Sequence, residues 1–339
     1  MKRHPHTFIL FSTFAVSLCL SSSAAAQTRD YRGEIGNNHI QMRLNFNGAN
    51  VSGIYSYDSV GQDLKLTGQL NARGGLELKE SDAKGKQTGK FVCKNFNDPV
   101  DPECTWSRVD GTREAMVLLE SQNIAFTNGL EIKPKTISNR KTGVGASYPQ
   151  LAGKEPLSAA AQAFNRKVLA LTQKAINEFA PIDGHGAFDA NYNVLFGAND
   201  LVSVELTVYY DGGGAHPNNY FLSLTYDLAA NKEIKFEDLF QPGTDYNTAI
   251  AKYMVEDINQ RAYAVELKNA TDPKQVQKRD EPILSIEQLS EVDGWGLTPK
   301  GLIVYFDLPH VLAYFDKNFV PYSVVKQYLK PNGPAARFQ

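Results

Sequence analysis

The sequence predicts an α+β protein: a small all-β N-terminal domain followed by an α+β domain with helices packed on a mainly antiparallel sheet. Three observations point there. In residues 201–227, Val202, Val204, Leu206 and Val208 alternate with Ser203, Glu205, Thr207 and Tyr209, and Tyr220, Leu222, Leu224 and Tyr226 alternate with Phe221, Ser223 and Thr225. This is the period of two half-buried strands in one hairpin. Upstream, residues 27 to 122 carry short alternating runs separated by turn clusters. Two later stretches, 157–175 and 250–265, space apolar residues three or four apart, as a helix with one buried face does.

The chain of 339 residues opens on Met1-Lys2-Arg3, an apolar run from Thr7 to Leu20, and the small residues Ala24-Ala25-Ala26 before Gln27. That is the pattern of a cleaved secretory signal over residues 1–26, and the run is too short for a membrane span. Cys19 follows Leu18, where a lipoprotein signal wants a small residue. A periplasmic or secreted protein is expected, with no membrane span after signal cleavage. Loss of Lys2 and Arg3 takes the formal net charge from −2 to −4, and no basic block argues for a nucleic-acid partner. Cys93 and Cys104 then form an even pair in an oxidising compartment. Their spacing is not CxxC and no histidine lies nearby, so a structural disulfide is expected, contributing about 3 kcal/mol by closing a short loop.

In chain order, the first strands are expected at 40–46, 51–57, 64–66, 76–78, 90–92 and 115–119, forming a meander, sandwich or barrel. Tyr55 and Tyr57 share one strand face, which reads as core packing before it reads as a ligand platform. Residues 123–147 are a linker or pairing strands, with strands near 130–137 and 144–148, and the α+β domain runs over 148–335. Pro156 suits the first turn of a helix stopped by Pro181 and Gly184, and the loop 181–188 then leads into the hairpin. Thr244 or Asp245 caps a second helix, lined by Ile250, Met254, Ile258, Ala262 and Val265. Residues 272–280 are expected to form a solvated charged loop or a frayed helix, and 286–289 a turn of helix. The apolar run 301–307 is a central strand, 309–318 a loop and 321–329 a closing helix.

Several motifs in the C-terminal half resemble one bacterial extracytoplasmic domain: Gly213-Gly214-Ala215-His216-Pro217-Asn218, then Ser223 with Thr225-Tyr226-Asp227-Leu228, Asp238-Leu239-Phe240, and Gly301-Leu302 with Val304-Tyr305-Phe306. It is the domain of RsiV-type lysozyme-binding anti-sigma factors and of the accessory region of PdaC-type peptidoglycan deacetylases. Tyr148-Pro149, Leu151 and Phe164-Asn165 fit its companion segment, so the resemblance covers roughly residues 130–330. It implies a cell-envelope binding domain, with lysozyme-like muramidases as a class of ligand. The chain departs from it in showing no anchoring helix with a sigma-binding segment and no C-terminal deacetylase domain. It also reads Val311-Leu312-Ala313-Tyr314-Phe315-Asp316-Lys317 where the family often shows an aromatic, then A-P-Y and a glycine; Tyr314 is kept but the proline and the glycine are not. The N-terminal part resembles a β-domain of other exported proteins, through Leu78, Glu80, Asp82 and Thr88, Gly89, Phe91, and that resemblance implies no activity.

No HExxH, P-loop, GxSxG or complete dinucleotide fingerprint occurs. SxxK at Ser138–Lys141 and KTG at Lys141–Gly143 overlap in one stretch, whereas the enzymes that use both keep them apart. Asp98, Asp101 and Glu103 lack EF-hand spacing and read as a solvated acidic loop. The sharpest catalytic candidates are Asp211 and His216, joined by His185 or Asp307. No nucleophile or ligand set accompanies them, so we prefer Asp211 and Asn218 capping loop amides while His216-Pro217 stiffens the exit. The expectation is an exported binding protein that binds or inhibits a lysozyme-like muramidase, or binds peptidoglycan, through Asp211, His216, Asn218, Tyr220 and Tyr314 on the loops 211–219 and 307–318. Neither cofactor nor metal is expected. The alternatives are a peptidoglycan hydrolase or deacetylase using Asp211 and His216, and a structural envelope module acting through the β-domain.

Overall fold

Eight strands follow one another from the first described residue and close on themselves: β1 Gln27–Ile35, β2 Asn38–Asn47, β3 Asn50–Tyr57, β4 Leu64–Leu70, β5 Leu76–Ser81, β6 Gln87–Cys93, β7 Cys104–Arg108 and β8 Glu114–Gln122. The computed structural model describes residues 27–96, 104–181, 186–214, 216–272, 274, 276 and 281–338. The signal segment, the acidic run with Asp98, Asp101 and Glu103, His185, and most of the charged stretch 272–280 lie outside the described residues. β8 pairs back onto β1, Ile35 facing Val117, so the meander resolves as a closed barrel with no free edge. Ile40, Met42, Leu44 and Phe46 alternate inward from β2 and meet Leu66, Leu78 and Phe91 in the barrel core. Cys93 and Cys104 are disulfide-bonded between β6 and β7. β1 and β7 escape the sequence reading because charged and small polar residues interrupt their apolar alternation.

The motif around Glu80 is structural. Glu80 is buried inside the barrel and accepts hydrogen bonds from Tyr55 Oη at 2.6 Å, Trp106 Nε1 at 2.6 Å and Thr88 Oγ1 at 2.5 Å. Three donors satisfy the carboxylate that burial strips of water. Gly89 lets the indole approach: a Cβ there would lie 2.7 Å from Trp106 Nε1. Asp82 accepts the amides of Lys84 and Lys86 and closes the β5–β6 turn. Tyr55 and Tyr57 meet edge to face at 5.5 Å, as core packing requires.

The remainder is α+β. A six-stranded sheet, ordered β14-β13-β12-β11-β10-β9, is built from β9 Glu131–Asn139, β10 Val144–Ala152, β11 Ala187–Gly197, β12 Leu201–Asp211, β13 Asn218–Asp227 and β14 Lys232–Glu233. Helix α1, Ala159–Phe179, crosses between the parallel strands β10 and β11. Ser158 caps it, its Oγ accepting the Ala161 amide, so Pro156 precedes the cap instead of occupying the first turn. Phe164 and Val168 pack on Val202, Val204, Leu206 and Tyr226. The stretch read only as a loop into the hairpin ends in β11, whose run of Asp189, Asn191 and Asn193 masks its strand period.

The apolar strand expected in this sheet, β16 Gly301–Tyr305, instead centres a second sheet between β15 Gly294–Leu297 and β17 Lys317–Pro321. That sheet lies on the face of the larger sheet away from α1. The Leu297 amide donates to Ser203 Oγ at 2.9 Å and the Trp295 amide to Ser223 Oγ at 3.2 Å. At Gly296 a Cβ would lie 2.1 Å from Leu195 Cδ1, so a side chain there would displace the Leu195 methyl from between the sheets. Helix α2, Tyr246–Asn269, packs through Ile250, Met254, Ile258 and Ala262 with the β15–β17 sheet. The two long helices therefore lie on opposite sides of the large sheet, α2 with the small sheet in between. Val265 is 39% exposed, so the buried stripe of α2 ends at Ala262. The closing segment is a short helix, α3 Tyr322–Val325, continued by a 3-10 turn.

Replacing Glu80 by Ala leaves two buried donors, Tyr55 and Trp106, and the half-buried Thr88 hydroxyl without their acceptor. We expect a loss of about 3 kcal/mol or more, measured by urea unfolding with the disulfide intact; a loss below about 1 kcal/mol would contradict the carboxylate's structural role.

Candidate binding sites

The loop between β12 and β13 is held open at its base. The Asp211 Oδ1 atom accepts the Gly213 amide at 2.9 Å, and Gly213 takes φ +75°, a left-handed conformation that glycine adopts without strain. Asp211 thus caps the loop as expected, whereas Asn218 is a strand residue opposite Tyr210. At the tip, the His216 ring stacks on His310, with centroids 3.4 Å apart and planes at 20°. His310 begins the turn between β16 and β17, on which Val311 is 88% and Tyr314 73% exposed. The two loops singled out in the sequence therefore meet. Among the described residues no hydrogen bond joins Asp211 to His216. Tyr220 sits on the α1 side of the hairpin, its ring 5.1 Å from Phe179.

Acidic groups stand behind this loop pair. Asp293 Oδ2 accepts the Asp307 amide at 2.8 Å and Asp316 Oδ1 accepts the Leu308 amide at 3.2 Å. Burial pushes the Asp316 carboxyl up; the Leu308 amide works against it, while Asp307 and Asp293 add repulsion, leaving it at about 6.

A second group of functional side chains joins barrel to sheet. The segment leaving β8 runs along β11: the Ala125 amide donates to Gly197 O at 2.7 Å and Gly197 returns a bond to Asn123 O at 2.8 Å. Arg32 of β1, 3% exposed, makes a two-pronged pair with Asp58 at 2.9 and 2.6 Å, donates to Asn191 Oδ1 at 2.6 Å, and lies 4.0 Å from the Tyr192 ring centroid. His39 of β2 lies between Glu34 Oε1, 3.2 Å from Nδ1, and Asp189 Oδ2, 2.8 Å from Nε2. These are ion-pair distances without hydrogen-bond alignment. Burial depresses the imidazole, but the Asp189 and Glu34 carboxylates outweigh it and raise it to about 9. Glu34, His39 and Asp189 are also the group among the described residues whose ligand atoms come within metal-binding reach of one another. Here each ring nitrogen faces a different carboxylate, an arrangement that fits a protonated bridge; a metal needs one nitrogen directed with both carboxylates at a common point.

The third group centres on Glu205, fully buried on β12. Its carboxylate accepts from Tyr305 Oη of β16, from Lys317 Nζ of β17 at 2.8 Å and from Asn193 Nδ2 at 3.1 Å. Asn193 and Lys317 also reach Glu120 of β8, at 2.6 and 3.4 Å, so the network continues into the barrel. Burial would lower the Lys317 ammonium, yet Glu205 and Glu120 hold it above its ordinary value, and burial beside Glu205 drives the Tyr305 phenol well up. The sequence reading missed this network, although a carboxylate midway along a Val- and Leu-rich strand was a visible signal. His39 and Asp189 offered none, being brought together only by the fold.

Two outcomes follow from these pairs. The His39 pair contributes stability that is complete below the unfolded imidazole pKa of about 6.5 and disappears as pH rises through about 9. His39→Gln should therefore cost most near pH 6 and little near pH 9.5 in denaturant titrations; a pH-independent difference would refute the ion pair. Lys317→Met strands a buried carboxylate and should cost about 3–5 kcal/mol, with much of it recovered when Glu205→Gln is added.

Residues 237–319 match a family described as a protein of unknown function, DUF3298. A DUF3298 family protein of Pseudomonas aeruginosa PAO1 is similar in structure at 17% identity, over 60% of this chain and 96% of that one, with a TM-score of 0.39. A DUF3298 family member of Bacteroides fragilis is similar at 10% identity, over 60% and 94%, with a TM-score of 0.35. Among curated proteins, an esterase of Mycobacterium tuberculosis is 45% identical over 42 residues, which are 12% of this chain and 18% of the esterase, so the chain spans under a fifth of that relative. The chain carries a DUF3298 domain in its C-terminal region.

Proposed function

We propose that this protein is exported to the cell envelope and there binds and inhibits a lysozyme-like muramidase through the paired loops around His216 and His310. One observation carries the reading: two loops far apart in sequence are stacked ring on ring at one exposed edge, with Val311 and Tyr314 directed outward beside them. An exposed aromatic next to an aliphatic side chain on a braced base is the composition of an interface anchor. The carboxylates of Asp211, Asp293, Asp307 and Asp316 give the same region negative potential, which complements a basic enzyme and speeds encounter. The resemblance to the RsiV- and PdaC-type domains supplies the ligand class. The disulfide between Cys93 and Cys104 and the secretory signal expected from the sequence support export. A hydrolase using Asp211 and His216 is favoured less, because Asp211 Oδ1 already holds the Gly213 amide and the His216 ring is engaged by His310.

The test is inhibition of hen egg-white lysozyme by the mature protein. Stoichiometric loss of lytic activity is expected, weakened at least tenfold, about 1.4 kcal/mol, in Tyr314→Ala and His216→Ala at an unchanged unfolding midpoint. Retention of wild-type inhibition by both variants would place the interface elsewhere, and binding to peptidoglycan without inhibition would replace the enzyme by its substrate as the ligand.

A further inference from the structure

The polar face of the β11–β13 strands does not simply meet solvent. Val202, Val204, Leu206 and Val208 of β12 pack toward α1, so the intervening residues point the other way. Strand register arranges that other face in rows: Asp189, Tyr209 and Asn219 in one, Asn191, Thr207 and Phe221 in the next, and Asn193, Glu205 and Ser223 in the third. The β15–β17 sheet covers the third row through Ser223 and Glu205. Phe221 also lies under that sheet, its ring stacked on Tyr305, whereas the first row together with Asn191 and Thr207 faces the barrel across a cleft of about 1220 Å³ whose opposite wall comes from β1, β2 and β8. This volume exceeds the roughly 300–1,000 Å³ of most small-molecule sites, as an extended ligand requires.

The lining selects a chemistry. Arg32, His39 and Arg140 are balanced by Glu34, Glu120 and Asp189, so the cleft has no charge preference for phosphate or for a cationic peptide. Amide side chains recur among the rest: Asn37 on the barrel wall and Asn139 and Asn219 on the other, beside Asn191 and Asn193, which are already bonded to Arg32, Glu120 and Glu205. Amides, carboxylates and guanidinium groups present paired donors and acceptors in a plane, the pattern that adjacent hydroxyls of a sugar ring satisfy, since each hydroxyl both donates and accepts. Tyr209 is 38% exposed in the cleft and its ring stacks on no other aromatic among the described residues, leaving a flat apolar face for the C–H side of a sugar. Arg32 is buried in the floor, yet its Nε–H has no acceptor among the described residues. We propose that the cleft between barrel and sheet binds an uncharged oligosaccharide, read by asparagine side chains from both walls and stacked on Tyr209.

This site is separate from the loop pair, and neither proposal depends on the other. Calorimetric titration of the mature protein with chitotetraose and with cellotetraose tests it. Saturable binding of at least one, with Kd below about 1 mM, is expected, weakened at least tenfold by Tyr209→Ala and by Asn37→Ala, one from each wall. Both side chains are exposed, so the variants should keep the wild-type unfolding midpoint, and Tyr314→Ala should leave glycan binding unchanged. No saturable binding of either glycan, or equal binding by wild type and both cleft variants, would overturn the proposal and leave a wet junction between domains. Lysozyme inhibition lost in Tyr314→Ala alone, with glycan binding intact, identifies the failure or success of each reading separately.

Discussion

A carboxylate taken fully out of water must be met by donors, and in this protein the donors for Glu205 come from separate layers. Tyr305 and Lys317 belong to the small sheet and Asn193 to the neighbouring strand of the large one, while Lys317 and Asn193 both reach on to Glu120 in the barrel. Hydrophobic burial between sheets tolerates sliding because it has no direction. A desolvated ion pair does not tolerate it, since a displacement of an ångström or two exposes a charge with no partner in a region of low dielectric. The network therefore constrains the registry of three layers. Arg32 with Asp58 and Asn191, and His39 between Glu34 and Asp189, impose the same constraint nearer the cleft. These side chains determine where the cleft walls stand.

The barrel uses the same device internally. Glu80 gathers a tyrosine, a tryptophan and a threonine from three other strands, and the glycine opposite the indole is required by that contact. The motif from Leu78 to Phe91 thus has a sufficient physical account in folding: one buried acceptor, its donors, and a turn closed by Asp82. No binding role needs to be assigned to it.

What could be read from the chain follows from how local each signal is. The β12–β13 hairpin, both long helices and the loop tip were legible because apolar period, Gly-rich turns and the His-Pro exit are written in consecutive residues. β11 was not, because Asp189, Asn191 and Asn193 read as loop chemistry until the fold places them on a strand face closed by a second domain. β16 was legible as a strand but not as the centre of a separate sheet; that depends on Ser203, Ser223 and Gly296 allowing one sheet to settle on another. The two tip loops were singled out together as a ligand surface, but their contact was not legible, because the stacking of His216 on His310 joins positions that no local pattern links. The cleft was invisible for a related reason: alternation shows that Thr207 and Tyr209 face away from the core, not that another wall faces them.

The hairpin that carries the loop pair is braced on both sides. Its apolar side is fixed by α1, and its polar side by the serine contacts and the Glu205 pairs, so the strands entering and leaving the tip have little freedom. Binding costs less when the binding loop is already ordered, because the conformational entropy has been removed on folding instead of on encounter. Stacking His216 on a second, independently anchored turn extends that order to the tip itself. This edge presents a braced apolar and aromatic surface beside carboxylates. The same buried charges that join the barrel to the sheet beside the cleft also brace the strands that lead to the exposed edge, which is why we read both as places for a ligand to be gripped.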